Sequence, residues 1–120
     1  MKVKILSSLF FIALFTWNCS KKENSDPNIP PTPSNLRIVS FDPIAVQLTW
    51  KDNAANEQGF DLEIKRGPGN FTLLHTLDAN TESWVEWYYD PQPGWTYTFR
   101  IRAYNTFGYS SYSNEFAFTY

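Results

Sequence analysis

The chain has 120 residues, 42% of them hydrophobic and 18% aromatic, with a formal charge of −2 and a single cysteine. That length supports one small domain, the lone cysteine excludes an internal disulfide, and the lack of a basic excess excludes a nucleic-acid footprint. Large aromatic rings must therefore fill a core that disulfides would otherwise support.

The first element is an export signal over residues 1–18. Lys2 and Lys4 give a positive start, Ile5 to Phe15 form an apolar run broken only by Ser7 and Ser8, and polar Asn18 precedes Cys19. The run is far short of the ~20 residues of a membrane-spanning helix and matches the core of a secretory signal. Cleavage before Cys19 would leave Cys-Ser-Lys-Lys-Glu, which resembles a bacterial lipoprotein start in which this cysteine carries acyl chains. The resemblance implies lipidation at Cys19 and attachment of the mature chain to a membrane of the cell envelope, as an outer-membrane lipoprotein facing the periplasm or the surface. The other reading is an ordinary signal cut a few residues later.

Residues 19–33 then read as a lipidated cysteine and a tether. Ser20 to Pro33 holds Lys21, Lys22, Glu23 and Asp26, followed by Pro27, Pro30, Pro31 and Pro33, with only Ile29 apolar. So little apolar surface cannot offset the entropy of ordering, and the prolines favour extended geometry. With Lys2 and Lys4 removed, eight Lys and Arg face 12 Asp and Glu, a balance of −4.

From Ser34 to Tyr120 short strands recur at regular spacing between turn residues, the signature of an all-β sandwich. Seven antiparallel strands are predicted at 35–40, 45–51, 60–65, 71–76, 83–87, 95–104 and 113–119. Alternation points Leu36, Ile38, Val46, Leu48, Trp50, Phe60, Leu62, Ile64, Leu73, Tyr97, Phe99, Ile101 and Ala103 inward. Asp61, Glu63 and Lys65 fall on the outer face beside Arg100 and Arg102, where opposite charges can pair across strands.

Trp50-Lys51-Asp52-Asn53, with Asn56-Glu57-x-Gly59-Phe60 and the later Asn105-x-x-Gly108-x-Ser110-x-x-Ser113, resembles the fibronectin type III domain. The similarity runs from Pro33 to Tyr120. It implies an immunoglobulin-like seven-stranded sandwich over 34–120, with Trp50 and Tyr97 as the family's core tryptophan and tyrosine. The family's Leu-x-Pro-x-Thr-x-Tyr before the sixth strand is altered here: Pro91 stands for Leu and Trp95 for Thr, leaving an unusually aromatic corner.

No catalytic constellation is readable, so the chain is read as a non-enzyme without cofactor. His75 is the only histidine, no serine sits in an elbow motif, and it is expected to be an edge-strand residue with no task. No spacing fits a metal site, and the oxygens of Asp52, Asn53, Asn56, Glu57 and Asp61 lack the pattern of a calcium loop; they are expected to hold the turn. Arg66-Gly67-Pro68 is not an adhesive Arg-Gly-Asp.

Aromatic rings are the remaining signal. Trp84, Trp87, Tyr89, Trp95 and Tyr109 are candidate ligand contacts, with alternation expected to bury Trp84 and expose Trp87 or Trp95. Exposed rings suit a protein interface or a sugar face. The expected function is a surface-tethered interaction or structural module of the cell envelope, with an envelope protein as partner; the alternative is a glycan-binding accessory protein using the aromatic corner.

Overall fold

In the computed structural model, residues 26–87 and 89–120 are described. The export signal, Cys19 and the first part of the tether lie outside them. Eight strands form: β1 (Ser34–Phe41), β2 (Ala45–Lys51), β3 (Gly59–Arg66), β4 (Phe71–Asp78), β5 (Ser83–Trp87), β6 (Thr96–Asn105), β7 (Gly108–Tyr109) and β8 (Phe116–Thr119). One sheet has the order β1-β2-β5; the other runs β4-β3-β6-β7, with β8 also paired to β6. All pairings are antiparallel.

Local chemistry sets the turns. Between β1 and β2 the Asp42 carboxylate accepts the Ile44 and Ala45 N–H groups at 2.7 and 2.8 Å, an Asx turn. Between β3 and β4, Gly67 adopts φ 52°, and a Cβ there would lie 3.0 Å from the Trp95 ring, so glycine meets both a backbone and a space requirement.

The two sheets close on Leu36, Val46, Leu48 and Trp50 from one side and Phe60, Leu62, Ile64, Leu77, Tyr97, Phe99, Ile101 and Ala103 from the other, all buried. Trp50 meets Phe60 edge-on with ring centroids 6.1 Å apart. Phe118 stacks on Tyr97 and Phe99 and touches Phe41 on the facing sheet. Among the described residues no helix is long and apolar enough to cross a membrane.

Two expectations change. The predicted last strand, 113–119, shortens to β8, and an unpredicted strand, β7, pairs with the end of β6; between β7 and β8 Ala103 N–H donates to Ser110 Oγ at 2.9 Å and Ile101 N–H to Ser113 Oγ at 3.1 Å. Serine hydroxyls there satisfy strand donors alongside the backbone. Leu73, expected inside, is 58% exposed. A bulge between Leu62 and Glu63 pairs Leu62 with His75 but Glu63 with Leu73, so the alternation of β4 slips by one residue. Leu74 and Leu77 pack on the core in its place.

Residues 26–33, read from composition as part of a tether, lie against the sandwich. Pro30 and Pro33 are buried. The Asn28 carbonyl accepts amide N–H groups from Asn56 at 3.0 Å and Asn105 at 2.7 Å, and the Thr32 carbonyl accepts from Asn53 at 2.9 Å. Asn114 binds both backbone groups of Leu36, at 2.9 and 3.0 Å, joining β1 to the segment before β8.

Candidate functional site

The five aromatic candidates do not form one face. Trp87, 59% exposed, stands opposite Ala45 on the outer side of the three-stranded sheet. Trp95, 42% exposed, lies over Gly67 beside the other sheet. Tyr109, 53% exposed, stands on the five-stranded sheet near its opposite end, across from Tyr104.

Tyr89 must be withdrawn as a ligand contact. It is only 3% exposed, its hydroxyl donates to the Asp42 carbonyl at 2.8 Å, and its ring meets Tyr97 edge-on at 5.8 Å. Burial and the nearby Tyr120, Asp42 and Tyr97 push its pKa upward. The corner uses this ring as a plug between sheets, where its apolar body adds to the buried area and its hydroxyl finds a partner.

Trp84 is half-buried and also structural. Its indole N–H donates to Glu86 Oε2 at 3.0 Å, and the same oxygen meets His75 Nε2 at 2.6 Å, with the His75 and Trp84 rings 4.7 Å apart. His75 therefore has a task, contrary to expectation. It bridges β4 of one sheet to β5 of the other.

The most ordered polar array covers the outer face of the five-stranded sheet. Glu63 and Arg100 are direct cross-strand partners on β3 and β6, as are Asp61 and Arg102. Arg100 reaches Glu63 Oε1 at 3.0 and 2.8 Å, and Arg102 lies 3.7 Å from Asp61. The pairing is as the alternation predicts, but both carboxylates are buried because rings lie over the arginines. The Arg100 guanidinium carbon sits 3.9 Å from the Phe71 centroid and 3.7 Å from Tyr112; that of Arg102 sits 3.7 Å from Tyr109 and 4.8 Å from Tyr112. Each partly desolvated stack stabilises by about 0.5–2 kcal/mol.

Tyr112 completes the array by donating to Glu63 Oε2 at 2.6 Å. Burial raises the Glu63 pKa, but the Tyr112 hydroxyl and Arg100 outweigh it and leave the carboxyl below its usual value. Tyr112 is pushed up by burial and by the Glu63 charge. Sequence reasoning missed Tyr112 because its place depends on Ser113 docking to Ile101, which fixes the residue before it between the two arginines.

The carboxylates near the loop at 52–58 serve the backbone. Asp52 accepts the Ala54 N–H at 2.9 Å, and Glu57 accepts the Asn80 N–H at 3.0 Å, where Asn80 adopts φ 62°. Burial, then proximity to Glu57 and Glu82, raises the Asp52 pKa. Among the described residues no three His, Cys, Asp or Glu side chains gather to hold a metal.

No family model matches the chain, and no curated protein does. Solved structures do. Domains FN1–FN3 of chicken CNTN1 align over 75% of this chain and 32% of that one, at TM-score 0.62 and 27% identity. The fold is that of a fibronectin type III domain. A structure described as a myokine aligns over 75% of this chain and 96% of its own at TM-score 0.62 and 17% identity, and an FN3tt mutant over 76% and 96% at TM-score 0.61 and 17%. The chain thus matches nearly the whole length of those two chains and about a third of the CNTN1 structure. At these identities the likeness speaks for the fibronectin type III architecture.

Proposed function

We propose that this protein is a non-catalytic fibronectin type III module of the bacterial cell envelope, tethered through lipid on Cys19 and acting as an interaction or structural element. The observation that carries the non-catalytic reading is the use made of its ionisable groups. The single histidine is engaged with Glu86, Arg100 and Arg102 are engaged with Glu63 and Asp61, and Glu57 holds a turn. Among the exposed residues are large apolar and aromatic side chains, Phe41, Ile44, Leu73, Trp87, Phe107 and Tyr109, beside solvated charges such as Arg37, Lys51 and Arg66. Anchoring is supported by the charged start, the short apolar run and the lone cysteine.

Intact mass of the detergent-extracted protein from a bacterial host tests the anchor: the expected mature chain begins at Cys19 and carries acyl mass, and Cys19→Ser is soluble or unprocessed. A mature chain beginning downstream of Cys19 overturns it. In-cell cross-linking of the lipidated protein to an envelope protein would support the interaction role, whereas retention on polysaccharide in affinity electrophoresis would favour the glycan alternative.

A further inference from the structure

We infer that residues 26–33 form an orienting strap that turns one end of the sandwich, the end bearing the 52–58 loop and the β6–β7 turn, toward a lipid surface. The inference rests on the lipidated Cys19 proposed above. Its own basis is geometric. The Asn28 carbonyl is gripped by two side-chain amides, Asn56 from the 52–58 loop and Asn105 from the end of β6, so the chain leaves the domain there and not at the start of β1. Asn105 Nδ2 also reaches the Asn56 carbonyl at 3.1 Å, which ties loop, turn and strap into one unit. Asp26 closes a local turn, accepting from the Asn28 and Ile29 N–H groups at 2.9 and 2.8 Å. The Ile29 side chain lies 3.4 Å from where a Cβ on Gly108 would stand, so the turn after β6 leaves room for the strap.

Docking shortens the reach from Cys19 to the sandwich. From Cys19 to Asp26 there are seven residue steps, at most ~25 Å when fully extended, whereas a chain free as far as Ser34 would reach ~50 Å. A domain whose ten-residue β6 runs roughly 33 Å from end to end cannot turn over within the shorter reach. Phe107, 62% exposed at the β6–β7 turn, then faces the headgroups, and Trp87, Trp95 and Ile44 face away. Asp26, Asp52 and Glu82 share the membrane-side end and oppose anionic headgroups, so this end faces the lipid without sinking into it.

The test uses the full lipidated chain in phosphatidylethanolamine and phosphatidylglycerol vesicles carrying a headgroup energy-transfer acceptor. A donor is placed at Phe107→Cys or, at the far end, at Asn70→Cys on the β3–β4 turn, the acylated Cys19 being unreactive to the label. Transfer several-fold greater from position 107 than from 70 is expected, with the difference collapsing when Asn56→Ala and Asn105→Ala are combined. Equal transfer from both positions, or greater transfer from 70, in protein shown by mass to be acylated overturns the orientation while leaving the anchor intact. Absence of acyl mass overturns both. Circular dichroism melts of the double variant confirm that the sandwich itself persists; an undiminished difference in that folded variant overturns the role of the strap.

Discussion

Trp50 and His75 show how single residues divide the stability of this sandwich. Trp50 is buried against Phe60, and its removal leaves a cavity between rigid sheets, so Trp50→Ala is expected to cost about 3–5 kcal/mol. Its indole nitrogen is buried without a hydrogen-bond partner among the described residues, a small offset to that loss. His75→Ala removes a bond to Glu86 between the sheets, and because the histidine is partly exposed the expected cost is about 1 kcal/mol. Urea melts of the two variants check the ranking; a larger loss from His75→Ala would mean that the bridge, and not the ring core, holds the sheets together. The core half of this was legible from alternation. The bridge was not, because His75 meets Glu86 only once two sheets face each other.

At the scale of elements, β3 and β6 were readable almost residue by residue, since both faces follow a strict period of two and the charges pair as written. Strand β4 was misread at Leu73 because a bulge is invisible to a periodic pattern. The last strand was misread because Ser110 and Ser113 replace ladder contacts by hydroxyl bonds. Those serines hold Tyr112 over Glu63, and this link has a pH signature. Glu63 has a folded pKa below its ordinary 4.5, so its contribution is present above that value and lost as pH falls through the lower one. Tyr112, raised above 10.0, contributes below that value and is lost as pH rises through the higher one. Asp52, raised from 3.8, acts in the opposite sense in the acid range and blunts the loss. Tyr112→Phe is expected to cost about 1.5 kcal/mol at neutral pH and to move the onset of acid unfolding upward, measured by melts from pH 3 to 7. An unchanged acid limb would show that Arg100 alone sets the Glu63 charge.

For the whole molecule, the consequential difference between composition and structure lies in the strap. Four prolines and a single apolar side chain besides them, Ile29, predict a segment too poor in apolar surface to order itself, and that argument holds only for order achieved by burying side chains. Here backbone carbonyls are held by Asn53, Asn56 and Asn105, up to 77 positions away in the chain, while Pro30 and Pro33 are buried. The prolines assist, since a chain already restricted loses less entropy on docking. Three largely exposed amide bonds and the buried Pro30 together are worth about 2 kcal/mol, at the low end of the usual range for each bond. In a domain of this size that corresponds to a melting-temperature difference of roughly 10 °C. Calorimetry of fragment 26–120 against fragment 34–120 measures it directly. The longer fragment is expected to melt higher, and Asn105→Ala is expected to narrow the gap, because both fragments lose its bonds to Asn56 and Phe107 but only the longer one also loses the bond to Asn28. Equal melting of the two fragments would reduce the strap to a tether along its full length, with ~50 Å of reach and no hold on the direction the domain faces.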